Sequence, residues 1–193
     1  MDPFEKSDIL LLADGDGFTP LHRLAKRAGN IQSRGEIGII NIFFNGLSQN
    51  QVDDIIFQTN TNNANANALH LGARNNSIIV GSLIERVSEE RKTELIESRT
   101  THGHTPLHLA GESGSIGAAN LLLANGADPT ARRKDPGLYQ LGKGKTAAGL
   151  AAQKGHRGLE GTLRVAKSSW VERTQVVEQD NSREIIRHSE TSL

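Results

Sequence analysis

Three histidines are the first residues to invite a chemical reading. His22, His70 and His108 each stand three places after a Thr or Asn (Thr19, Asn67, Thr105), so one local pattern recurs along the chain. Imidazole is the commonest metal ligand, but the ligands of one ion must all lie within about 2.1 Å of it. Packed helices that each carry one such histidine hold the rings roughly 10 Å apart. The spacing therefore points to a structural role, with each ring hydrogen-bonded to neighbouring turn backbone, and no metal site is expected. His102 and His104 flank Gly103 on a turn, where contact with a partner is the better reading because no third ligand is near.

Gly144-Lys145-Thr146 has the ending of a phosphate-binding loop. The pattern G-x-x-x-x-G-K-[ST] needs glycine where Tyr139 stands, and starting from Gly137 and Gly142 instead puts Gly144 where a hydroxyl is required. No nucleotide or other cofactor is expected. Serine, histidine and aspartate are present, but none sits in a nucleophile elbow, and a chain without cysteine has no thiol mechanism. Asp53-Asp54 and Glu89-Glu90 read as charged helix faces rather than paired acids in a pocket. The residues point away from an enzyme.

What must position these residues is a set of short helices. Thr105 is a good N-cap, Pro106 suits the first helical position, and Leu107, Leu109 and Ala110 begin a helix that Gly114 closes as a left-handed residue. Ile116, Ala119, Leu122 and Leu123 give a second helix an apolar face, stopped by Gly126. Neither helix can bury its face alone, so the unit must stack on copies of itself. Gly17, Thr19, Pro20, Leu21 and His22 repeat the same spacing, followed by a second helix from Glu36 to about Asn45. Residues 62–87 form a degenerate copy with Asn67 at the cap, Ala68 for Pro, and Asn65 and Asn76 for the turn glycines. Residues 142–165 form a fourth, with Gly149 where the others have His, and its weakness suits a terminal cap.

The caps at 19, 67, 105 and 146 are 48, 38 and 41 residues apart. The excess over a minimal period of about 33 residues has a pattern of its own. Ser48 aligns with Ser88, and Ile55-Ile56 with Leu95-Ile96, which predicts inserted third helices over about 48–58 and 88–98. SEER at 88–91 has the form of a capping box. Residues 132–144, with the turn signal Asp135-Pro136-Gly137, read as a loop. Ser7 or Asp8 is a candidate cap for a short apolar helix, Ile9 to Ala13. The expected organisation is a capping helix over 1–13, repeats over 14–165 (units 14–46, 62–87, 101–128 and 142–165), and a helix with a flexible polar tail over 166–193.

The totals agree with this. Lys+Arg and Asp+Glu are both 22, so net charge gives no argument for nucleic acid. The lack of cysteine fits a reducing compartment, taken as the cytoplasm. The run from Ile9 is too short for a secretory signal, and nothing approaches the ~18 apolar residues of a membrane span. A monomer that neither crosses nor binds membrane is expected.

The pattern G-x-T-P-L-H-x-A, followed by an apolar helix ending L-L-x-x-G-A-D, resembles the ankyrin repeat. The likeness is nearly position by position over 102–128, as good at the front of 14–22, and in register through 165. The resemblance implies an all-α helical repeat solenoid. It also implies a non-catalytic module for protein–protein interaction that binds a partner in a concave groove and through its turn tips, as a scaffold or adaptor. The alternative is a regulator that masks a partner enzyme or transcription factor. The long inserts resemble those of bacterial and viral members that act in a host's cytoplasm or nucleus. Carried over position by position, the tip residues are Asp16, Phe18, Asn63, His102, His104, Lys143 and Lys145. The first-helix residues are Lys26, Arg27, Arg74, Asn75, Glu112, Ser113 and Lys154. The excess of cations among them suggests an acidic segment on the partner. The ending Glu190-Thr191-Ser192-Leu193 also resembles a PDZ ligand, with an apolar Leu193 and a hydroxyl two places before it.

Overall fold

The computed structural model describes residues 3–27, 34–62, 64–75, 77–133 and 144–190. Helix α1 (Pro3–Leu11) precedes the first helical pair, α2 (Pro20–Lys26) and α3 (Arg34–Phe44). A single helix, α4 (Gln49–Phe57), follows, then a two-stranded antiparallel ribbon of β1 (Thr59–Asn60) and β2 (Ala66–Asn67) with Thr59 opposite Asn67. The second pair is α5 (Ala68–Asn75) and α6 (Ser77–Arg86), and α7 (Glu89–Ile96) is the next single helix. The third pair is α8 (Pro106–Ser113) and α9 (Ile116–Ala124), and the last is α10 (Ala147–Gln153) and α11 (Arg157–Glu190). Helices α2, α5, α8 and α10 pack side by side in one row, and α3, α6 and α9 form the row behind. Leu21, Leu69 and Leu107 from the first row share one core with Ile40, Ile79, Leu83 and Leu122 from the second, all fully buried. Burying each such side chain contributes about 1.5–3 kcal/mol, which is what holds helices of seven or eight residues that would not persist alone.

The expected punctuation is present in detail. Thr19, Thr105 and Thr146 accept a hydrogen bond from the backbone N–H three residues on, and Pro follows the first two. Gly114 closes α8 at φ 76°, and Gly126 sits at φ 90° after α9. Asn65 takes the left-handed conformation at φ 53°, as its place in the pattern predicts. Its neighbour Ala64 does so too, at φ 57°, although alanine carries a Cβ that crowds the carbonyl there. Replacing Ala64 by Gly should raise stability by about 1 kcal/mol, read as a higher urea midpoint at unchanged slope. A lower midpoint would show that the ribbon's tip holds Ala64 by contacts rather than despite strain.

Three local expectations are revised. Helix α1 begins at Pro3, so Ser7 is not a cap. It is buried, and its Oγ accepts from Gln51 Nε2 at 3.2 Å. Ser88 starts α7 but makes no side-chain cap. Its hydroxyl donates to Asp53 Oδ2 at 2.6 Å, and the Asp53 carboxylate takes over the capping by accepting the Ser88 N–H at 3.0 Å. Gln49 Nε2 donates to the same carboxylate at 2.9 Å. Burial pushes the Asp53 carboxyl up, but the Ser88 and Gln49 hydrogen bonds outweigh it and hold the group ionised. Asp53 is thus a latch between α4 and α7 rather than part of an exposed acidic face. Finally, α11 runs on to Glu190. Residues 162–190 contain no Gly or Pro, so nothing in the chain ends the helix near Ala166.

The turn signal at 135–137 lies outside the described residues. Around it, Arg133 N–H donates to Lys145 O at 3.1 Å and Arg132 Nη1 to Gly144 O at 2.8 Å.

Candidate protein-binding face

A histidine at the third helical position organises the front edge of each of the first three units. In α8 the Thr105 hydroxyl lies 2.8 Å from His108 Nδ1, and the Thr105 N–H donates to the same nitrogen at 3.2 Å. Nδ1 is therefore an acceptor, which leaves Nε2–H to donate to Lys145 O at 3.1 Å. The ring ties its own cap to the tip of the next unit. His70 does the same, with Nε2 3.1 Å from both Ser98 O and His104 O. At its other nitrogen, however, Asn67 supplies an acceptor: Oδ1 lies 2.7 Å from His70 Nδ1, where a threonine hydroxyl would donate. His22 faces the Gln58 and Ala66 backbone, but its buried Nε2 does not reach hydrogen-bond geometry. The three imidazoles are structural, one in each of the first three units, as their spacing predicts. Burial pushes His70 and His108 down to about 4.

Around this framework lie the residues assigned to binding. At the first tip, Asp14 Oδ1 accepts the N–H groups of Asp16 and Phe18, both at 3.0 Å. Arg23 then spans the two carboxylates, 2.7 Å from Asp14 and 2.6 Å from Asp16. Phe18 is buried beneath the Arg23 guanidinium and the Lys26 ammonium, each 4.5 Å from its ring centroid. A partner arriving here meets those two cations rather than the ring. Arg23 was not among the sequence candidates, although Asp-x-Asp-Gly ahead of it is a turn signal that leaves acceptors for a nearby cation.

At the third tip His102 is exposed, and His104 is half-buried with Nε2 accepting from Arg133 Nη1 at 3.0 Å. Burial and then Arg133 hold the His104 imidazole below its usual range. Lys145 Nζ donates to Gln153 at 2.7 Å. Asn63 and Lys143 lie outside the described residues, as do Thr191 to Leu193.

Along the first-helix row, Arg74 pairs with Glu112 at 2.8 Å, and Lys154 adds to the positive field that lowers the Glu112 carboxyl. Burial opposes that lowering and is outweighed by Arg74. Lys26, Arg27 and Lys154 are exposed, with no ion-pair partner among the described residues. Ser113 is tied down, its hydroxyl donating to Leu109 O at 2.9 Å. The row therefore alternates in sign at its centre and is cationic at both ends. An exposed ion pair such as Arg74–Glu112 contributes at most about 1 kcal/mol, so a partner can displace it at little cost.

No helix among the described residues is long and apolar enough to cross a membrane. A family model described as ankyrin repeats, in three copies, matches residues 31–133, a span that takes in α3 through α9. No curated protein matches the chain.

Proposed function

The chain belongs to the ankyrin-repeat family, and from that premise we propose a non-catalytic scaffold or adaptor that grips one partner protein along the first-helix row and the turn tips. Ankyrin repeats generally mediate protein–protein interaction, and the finer reading rests on where the charges stand. The observation that carries it is the exposed cations at the two ends of the row, Lys26 and Arg27 at the close of α2 in the first unit and Lys154 just beyond α10 in the fourth, flanking the exchangeable Arg74–Glu112 pair. A segment with carboxylates spaced like the units would take up the end cations and open that pair.

The test is capture from cell lysate with the full chain, with Lys26→Glu/Lys154→Glu, and with the chain ended after Asp180. Arg74 is left alone so that Glu112 keeps its counter-charge. We expect the charge reversal to lose the partner roughly tenfold or more and the shortened chain to keep it. Equal capture by the reversed variant, with the same salt dependence, would rule the row out. Loss confined to the shortened chain would move the contact to the tail and its PDZ-like ending.

A further inference from the structure

The last unit departs from the others where their histidine stands. Gly149 supplies no ring at that place, and beside it a groove of about 590 Å³ opens between α10 and α11. Thr146, Ala148 and Gly149 line one side; Arg164, Lys167 and Val171 line the other, with Glu172 the one carboxylate against two cations. Arg164 is engaged with Glu160 but 70% exposed, and Lys167 has no partner among the described residues.

At the opposite end of the stack, α1 turns Ser7, Leu10 and Leu11 toward the core. Its outer face carries Glu5, Asp8 and Ile9 at i, i+3 and i+4, and Leu12 follows directly past its end, all exposed. Ile9 is 50% and Leu12 67% exposed, and neither carboxylate has an ion-pair partner among the described residues. A solenoid that stays single needs polar outer faces on its terminal units. Here one end offers two carboxylates beside two large apolar side chains. The other offers two cations beside Ala148 and Val171 in a groove.

We propose that these ends bind each other in trans, so that a second copy of this chain docks head to tail with its α1 face in the groove between α10 and α11. Such a contact is heterologous: each added copy leaves one free end of each kind, so association continues beyond a pair. The monomer expected from the sequence is then the dilute species. The ends carry this contact, and the first-helix row stays free for a different partner.

Sedimentation velocity of the full chain across concentration and salt tests it. The weight-average mass should rise with concentration and fall with added salt. Arg164→Glu/Lys167→Glu, and separately Glu5→Lys/Asp8→Lys, should each stay monomeric, because the two ends then carry like charge. An equimolar mixture of the two variants should associate again, each offering the other a complementary end. Leu12→Ser, which changes no charge and touches no ion pair, should also remain monomeric. A wild-type chain that is monomeric throughout, reversed variants that assemble as it does, or a mixture that fails to assemble would each overturn the proposal.

Discussion

Gly111→Ala is expected to destabilise the protein by about 2–3 kcal/mol, although the same exchange in an open helix stabilises by up to about 1 kcal/mol. Gly111 lies in α8 where α10 crosses closest. A Cβ added there would meet Ala147 O at 2.5 Å and the Ala147 carbonyl carbon at 3.1 Å. Both are backbone atoms at the start of α10, so relief requires the helices to part rather than a side chain to turn. Parting them would also lengthen the bond from His108 to Lys145 O. Gly161→Ala in α11 is the matched control. Nothing lies within 4 Å of a Cβ there, so helix propensity alone acts and stability should rise by about 0.5–1 kcal/mol. Urea unfolding of both variants separates the two effects by sign. A stabilising Gly111→Ala would mean that α8 and α10 pack less closely than the structure has them.

Stability should also fall steeply below neutrality. An imidazole whose folded value is depressed binds its proton more readily in the unfolded chain, so stability is fully present above the unfolded value of about 6.5 and is lost as pH falls toward the folded one. His108, 1% exposed and held at about 4 by burial first and the nearby His104 second, should cost about 2 kcal/mol by pH 5 and about 3 by pH 4. His70 acts in the same window, as does His104 by its direction. Protonation also places a hydrogen on His108 Nδ1, where the Thr105 N–H already points. Glu97 opposes them: burial raises its carboxyl, so it favours the folded state as pH falls, but Asp128 N–H donating at 2.7 Å limits that gain. Against a total stability of about 5–15 kcal/mol, two such imidazoles decide whether the stack survives at pH 4. Equilibrium unfolding at about pH 7.5, 6 and 5 should show the loss, and His108→Gln should be less stable at neutral pH with a shallower dependence. A slope unchanged by that substitution would remove His108 from the account.

Much of this was legible before any coordinates. Thr-Pro-Leu-His marks a helix start because each residue answers a local demand: a cap, a first-turn residue without N–H, a core contact, and a ring that returns the cap's hydrogen bond. Such demands involve residues only a few places apart, so spacing exposes them. Asn67 shows the limit. As a cap it is a fair substitute for threonine, and its backbone N–H still donates to His70 Nδ1, but its side-chain oxygen cannot donate there as a hydroxyl can, and that difference appears only once the ring's other nitrogen is seen committed to Ser98 O and His104 O. The face proposed for binding was legible in the same partial way. The positions of Lys26, Arg74, Glu112 and Lys154 followed from register. The burial of Phe18 beneath Arg23 and Lys26 did not, because it depends on how a tip folds back over its own helix.

The sequence by itself determined the pairing of the helices, their caps and stops, the histidine at the front edges of the first three pairs and the presence of two additional helices. All of these rest on contacts within one unit or on simple period. Tertiary structure alone decided which groups meet across units: Asp53 with Ser88, Glu97 with Asp128, and Arg74 with Glu112. These partners are 31 to 38 residues apart, and no local preference encodes their meeting. It also decided the character of the two ends, where α1 turns an acidic, apolar face outward and Gly149 leaves a cationic groove. A terminal helix reads alike from its sequence whether its outer face is covered or open, and only the packing of its neighbours tells the two apart.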